Sequence, residues 1–205
     1  MTSIRIEKAV LEDGEALMHM GSKAFENDIL MNSSLPQPMT PEQRAEHIAW
    51  RVHMFRKRFV EENRHYFKAI NAEANGEIVG VIGWHGPVPQ KNDEGPRWDG
   101  QPSFVNLAVH EALMADFSRA KKETGFAGRS DFWYLQSCAV HPDHWGRGIA
   151  EKMMRYTLQE LIDRDGLEAY LESSPMGKKL YARCGFEQRM QLSKMDGNPR
   201  QMVWL

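Results

Sequence analysis

The chain has 205 residues, 41% of them hydrophobic and 26% charged, which suits one domain with a sizeable core and one elaborating insertion. Its formal net charge of −2 gives no electrostatic ground for nucleic acid or an anionic membrane as partner, and no run approaches the roughly 20 apolar residues of a membrane span. Cys138 and Cys184 are too few for a disulfide framework and lack zinc-site spacing, and the start carries no signal-peptide pattern, so the reading is a soluble, cytoplasmic protein, monomer or homodimer.

Ile4, Ile6 and Lys8 alternate with Arg5 and Glu7, which predicts an opening strand. Ala16, Leu17, Met20, Ala24 and Phe25 fall at helical spacing over residues 12–26, after an acidic start that suits a helix N-terminus. A proline-containing loop over 33–41 leads to Thr40-Pro41-Glu42, an N-cap followed by proline at the first helical position, and a second helix over about 42–61. Residues 65–72 and 78–84 read as antiparallel strands joined through Asn75-Gly76, a strong hairpin signal. The segment 86–122, rich in proline, glycine and charge at first and helical from about 104, reads as an insertion between strands. Residues 132–140 then form a strand rich in aromatic residues.

A glycine-containing turn and an amphipathic helix follow, with Ile149, Met153, Met154, Thr157, Leu158, Leu161 and Ile162 at spacings of three and four. Asp165-Gly166 ends this helix. A short strand over 167–171 and a helix over 175–184 come next, with Gly185 placed for a left-handed cap. Strands over 186–192 and 201–205 close the chain through a turn at 196–199. The alternation is that of an α/β protein.

The chemistry concentrates where the strand meets the helix, in Val140-His141-Pro142-Asp143-His144-Trp145-Gly146-Arg147-Gly148-Ile149-Ala150. A helix N-terminus offers unpaired N–H groups and the positive end of its dipole, and small residues let a pyrophosphate approach the backbone. A ligand-free turn has the same pattern. No Lys-Ser or Lys-Thr follows the glycines, against a Walker A loop, and the turn lies too late in the chain for a Rossmann fingerprint.

This turn resembles the acetyl-CoA loop of the GNAT acetyltransferases, Gln/Arg-x-x-Gly-x-Gly/Ala. Gly148 and Ala150 take the small positions, Gly146 and Arg147 the intervening ones, and Trp145 stands where the family has Gln or Arg. Leu180-Tyr181-Ala182-Arg183-Cys184-Gly185-Phe186, preceded by Ala169-Tyr170-Leu171-Glu172-Ser173-Ser174, is similar to the family's tyrosine-bearing helix, closest to puromycin-acetyltransferase-like and fungal members. The resemblance implies a GNAT fold, a mixed, mostly antiparallel sheet flanked by helices and splayed near Val140. It implies acetyl-CoA as cosubstrate without a metal, held by Ala139, Val140, Gly146, Arg147, Gly148, Ile149 and Ala150, with an N–H of Ala139 or Val140 steadying the oxyanion.

Tyr181, protonated at neutral pH, is the expected acid for the leaving thiolate, lying beside an apolar stripe of Met176, Leu180 and Cys184. An amine acceptor needs a base. Glu172 ranks first, following a hydrophobic strand, ahead of His141, Asp143 and His85. His141, Asp143 and His144 lack zinc-ligand spacing, Cys138 reads as an inert buried thiol, and His47 and His53, six apart, read as surface residues.

Three readings remain: a small-molecule amine acetyltransferase, a protein or peptide N-acetyltransferase, and a silent acyl-CoA-binding sensor. The 86–122 segment is expected to wall the acceptor site, its prolines Pro87, Pro89, Pro96 and Pro102 limiting its freedom and Trp98 and Phe104 offering aromatic surface. Surface decoration or a dimer contact is the alternative role, and substrate choice would then fall to residues 25–35.

Overall fold

The computed structural model describes residues 3–28, 31–87, 100–195 and 198–204, with side chains described up to residue 190. A seven-stranded sheet in the order β1-β2-β3-β4-β5-β7-β6 is formed by β1 (Ile4–Lys8), β2 (Arg64–Asn71), β3 (Glu77–His85), β4 (Phe132–Val140), β5 (Glu168–Ser173), β6 (Glu187–Met195) and β7 (Asn198–Trp204). Neighbouring strands run antiparallel except β4 and β5, which are parallel. A parallel pair needs a crossover, and the helix after β4 supplies it. The expected α/β class and mixed, mostly antiparallel sheet are therefore what the chain adopts.

Helices α1 (Gly14–Ala24), α2 (Pro41–Phe59), α3 (Leu107–Glu123), α4 (Ile149–Thr157) and α5 (Lys178–Arg183) flank the sheet. Local chemistry starts α2: Thr40 Oγ1 accepts from Gln43 N at 3.2 Å while Thr40 N donates to Gln43 Oε1 at 3.0 Å, a reciprocal capping box ahead of Pro41. The hairpin turn holds Asn75 at φ 50° and Gly76 at φ 76°, the left-handed geometry that its sequence signal demands. Beyond Thr157 the α4 helix continues through a wider π-helical stretch, Leu158–Ile162, and a last turn, Asp163–Asp165.

One face of the sheet packs on α4 and α5, with Trp84, Met153, Met154, Leu171 and Phe186 buried between them. Each such side chain contributes roughly 1.5–3 kcal/mol. The fully buried Trp84 donates from Nε1 to Thr157 Oγ1 at 3.0 Å, which ties α4 to β3. The opposite face packs α1 and α2 through Leu17, Met20, Phe55, Tyr66 and Ala139, and places Ala120 and Phe126 against Phe132 and Tyr170.

Several boundaries differ from the sequence expectation. The helix expected from 104 starts at Leu107, because Asn106 caps it by accepting from Val109 N at 3.2 Å. The helix expected over 175–184 starts only at Lys178, since residues 174–177 close a turn with Gly177 N donating to Ser174 O at 3.0 Å. Strand β5 runs on to Ser173, so Glu172 lies inside it rather than after it. Ala16 is exposed and Gly14 is buried in its place. Pro89, Pro96, Trp98, Asp196, Gly197 and Leu205 lie outside the described residues.

Candidate active site

The turn after β4 is built to leave donors pointing outward. Gly146 and Gly148 both sit at φ 73°, a conformation that costs an L-residue roughly 1–2 kcal/mol. Gly148 is the N-cap of α4 and makes no side-chain cap bond. The first intrahelical bond is Lys152 N to Gly148 O, 2.9 Å, so the amides of Ile149, Ala150 and Glu151 precede the ladder. A Cβ at Gly146 or Gly148 would meet nothing within 4 Å, which leaves the approach to those amides open. The Arg147 guanidinium folds back on the turn, donating to Asp143 O at 3.0 Å. Glu151, in the first turn of α4, is held by Arg155 and Arg183 at 3.0 and 2.9 Å, which neutralises its charge beside the open amides. These residues fit a phosphate-bearing cosubstrate such as acetyl-CoA.

Beside this turn the sheet parts. β4 pairs with β5 only from Phe132 to Leu135, opposite Glu168 to Leu171, and the two strands are unpaired from Gln136 onward. A register shift at the same level, Trp84 opposite Leu135 but Gly83 opposite Ser137, leaves Gln136 as the extra residue of a β-bulge. The opening thus begins four residues before Val140. His141 N donates to Val79 O at 2.9 Å, so by strand alternation Ala139 turns its peptide groups toward β3 and Val140 turns its own toward the gap. Of the two residues expected to offer an N–H there, Val140 is the one oriented for it.

Glu172 stands at the root of the gap. Its Oε2 accepts from Tyr134 Oη at 2.7 Å, while Oε1 is buried with no hydrogen-bond partner among the described residues. Burial pushes this carboxyl above the usual carboxylate range, against the pull of the Lys121 ammonium and the Tyr134 and Tyr170 hydroxyls. Lys121 Nζ lies 4.0 Å from the centre of the Tyr134 ring and 5.6 Å from that of Tyr170. Tyr134 also meets the His85 ring edge-on at 5.5 Å, and His85 Nε2 lies 3.1 Å from Gln136 Oε1. A buried carboxyl with raised proton affinity, set at the root of the opening, is a group that can accept and hold a proton.

Tyr181 lies on the α4–α5 side of the sheet. It is only 8% exposed, and its ring packs against Phe186 at 5.9 Å between centroids. Burial, then the neighbouring Cys138 and Cys184 thiols, push its phenol well above the ordinary value, so it remains a proton donor. The apolar stripe expected on this helix is corrected: Met176 precedes α5 and is 66% exposed, while Tyr181 and Cys184 face the interior. Cys138 faces the same region, and burial, with Cys184 nearby, pushes its thiol up to about 12, which keeps it un-ionised and a poor nucleophile.

The other candidates separate from Glu172. His141 accepts from Asp143 N at 3.3 Å and caps the turn, and Asp143 is exposed, so both stand at the turn, whereas His85 reaches Glu172 through Tyr134. No group of three metal-ligating side chains occurs among the described residues. His47 is half-buried and stacked on Trp50 at 5.7 Å, a correction to its reading as a surface residue. Burial, then Arg51 and Arg44, lower it to about 4. Tyr134 and Lys121 escaped sequence reading; the one local signal was a polar Gln136 set among the apolar residues of β4.

The profile of the Acetyltransferase (GNAT) family matches residues 29–186, and the chain belongs to that family. The structure is similar to that of a histone acetyltransferase HPA2 and related acetyltransferase from Corynebacterium glutamicum, at 22% identity and a TM-score of 0.66, covering 100% of this chain and 96% of the other. It is also similar to a mosquito arylalkylamine N-acetyltransferase like 5b, at 12% identity and a TM-score of 0.64 over 99% of both chains. A third similar structure is the PaiA N-acetyltransferase of Thermoplasma acidophilum in complex with coenzyme A, at 13% identity and a TM-score of 0.53 over 98% of both chains. A search of the curated proteins gave no match.

Proposed function

We propose that this GNAT acetyltransferase moves an acetyl group from acetyl-CoA to the amine of a small molecule by direct attack, with Glu172 as base and Tyr181 as acid. The observation that carries the reading is the Glu172 carboxylate, buried at the root of the β4–β5 opening and bonded through Oε2 to Tyr134. Acetyl-CoA supplies the acyl group and a thiolate leaving group. The turn at Gly146, Arg147 and Gly148 and the first amides of α4 at Ile149 and Ala150 hold its phosphates. The Val140 N–H donates to the oxygen on which charge develops. Glu172 Oε1 accepts the proton that the amine loses, and Tyr181 Oη donates one to the departing sulfur.

The small-molecule preference is supported by what encloses Glu172. Lys121 of α3 lies over the ring of Tyr134, whose hydroxyl bonds Glu172, and the α3 cap is tied to the loop between α1 and α2, Asn106 N donating to Ser34 O at 2.8 Å. At Asn106 and Ser34 the two stretches expected to govern acceptor choice meet, and a contact there favours a compact acceptor over a polypeptide. A cleft of about 670 Å³ beside His141, walled by Met20, Met39, Ile48 and Ile78, offers apolar surface on the same side. The test is release of CoA across a panel of small amines and lysine peptides. Turnover restricted to small amines supports the reading, preference for peptides replaces it with protein acetylation, and acetyl-CoA binding without any turnover leaves a sensor.

A further inference from the structure

Helix α3 reaches the Glu172 cluster directly. It is fixed where it crosses that cluster: Ala120 is fully buried, and Lys121 O accepts from Phe126 N and Ala127 N at 2.8 and 3.0 Å. The Lys121 side chain is thereby aimed at the Tyr134 ring, 4.0 Å from its centre, and the hydroxyl of that same ring holds Glu172 Oε2 at 2.7 Å. A cation on the face of a phenol is attracted to the ring and makes its O–H a stronger donor to a carboxylate. Among the described residues the titratable groups facing Glu172 are Tyr134 of β4, Tyr170 of β5 and Lys121 of α3, with His85 of β3 behind Tyr134; β6 brings the apolar Met190 to the same cluster. Within that set, Lys121 is the group whose positive charge pulls on the Glu172 carboxyl.

We propose that Lys121 is a positioning residue for acetyl transfer: it clamps Tyr134, and through it the base Glu172, and supplies the charge that holds the carboxylate ready to accept a proton. The inference rests on Glu172 being the base. It gives α3 a part in the reaction, because the charge reaches the site only with α3 packed on the sheet.

The test is the pH dependence of kcat in the full chain, comparing wild type with Lys121→Met, Lys121→Arg and Glu172→Gln. Lys121→Met keeps the aliphatic stem and removes the charge, so the acidic limb should move to higher pH by about one unit, with kcat at pH 7 falling about tenfold. Acetyl-CoA affinity should be unchanged and Lys121→Arg should recover most of the rate. Lys121→Gln replaces the methionine variant if the latter is unfolded. An acidic limb that stays in place without the Lys121 charge, while Glu172→Gln abolishes it, overturns the inference and leaves Glu172 as base. A limb that persists in Glu172→Gln overturns both.

Discussion

Gly177→Ala should slow acetyl transfer while leaving acetyl-CoA affinity intact. Gly177 has φ −75° and ψ −22°, a conformation that alanine adopts without strain, so the effect reduces to one methyl group. That methyl would stand 2.7 Å from Tyr181 Cε2 and 3.0 Å from Ser173 Oγ. Ordinary contact begins near 3.4 Å, so the ring must retreat by about 0.7 Å. Phe186, 3% exposed, stands against the ring, so the retreat carries the hydroxyl off its line. A displacement of about 1 Å in a reacting group costs up to about 10²-fold in rate, and overpacking costs about 1–3 kcal/mol of stability. Tyr181→Phe should lose about 10²-fold or more in kcat with the acetyl-CoA Kd unchanged. The decisive assay is the double variant, followed by steady-state kinetics and titration calorimetry. If Gly177→Ala acts only by moving the acid, it adds nothing once the hydroxyl is gone. Losses that multiply, or a Gly177→Ala enzyme with wild-type kcat, would refute the placement of Tyr181 as acid.

Gly148→Glu should abolish acetyl-CoA binding by calorimetry, because it sets a carboxylate where phosphate must lie; Gly148→Ala, whose Cβ meets nothing within 4 Å, should retain binding and lose folding stability through its φ strain of roughly 1–2 kcal/mol. Glu172→Gln should remove the acidic limb of the kcat profile. It should also raise the melting temperature at alkaline pH: the folded carboxyl is raised above its unfolded value, so ionisation costs stability as pH rises through the folded value, and the gain should vanish in acid, where both states are protonated. Thr157→Val strips the buried Trp84 indole of its acceptor, which should cost about 1–3 kcal/mol and lower the melting temperature by several degrees.

What the sequence discloses here is what short stretches of chain decide. The Thr40 capping box, the Asn75-Gly76 turn and the two glycines ahead of α4 are each set by neighbours a few residues apart, and each was legible. The Gln136 bulge is set by how β4 pairs with β3, some fifty residues away, and the opening of the sheet follows from it. The meeting of Tyr134 with Glu172 depends on the parallel register of β4 and β5, which no local periodicity encodes. Tyr134 was therefore legible only as part of an aromatic-rich strand, and nothing in the sequence singled out Lys121. Met176 was assigned to a helix face because Gly177 was not recognised as the end of a turn.

Trp145, the one departure from the family pattern in the turn, can be weighed through the carbonyls it helps to engage. Its indole N–H donates to Val140 O at 2.7 Å, while the ring itself is 49% exposed. The next three carbonyls are also engaged: His141 O accepts from His144 N, Pro142 O from Trp145 N, and Asp143 O from Arg147 Nη2. Four successive acceptors between β4 and Gly146 are thus satisfied from within the turn. The Val140 N–H still faces the gap, and the first amides of α4 are left without a side-chain cap. A carbonyl oxygen left pointing into that space would repel both a phosphate and the negative charge that develops on an acyl oxygen. Trp145 therefore removes an acceptor from an edge that must present donors, a role that its N–H performs whether or not its ring touches the ligand.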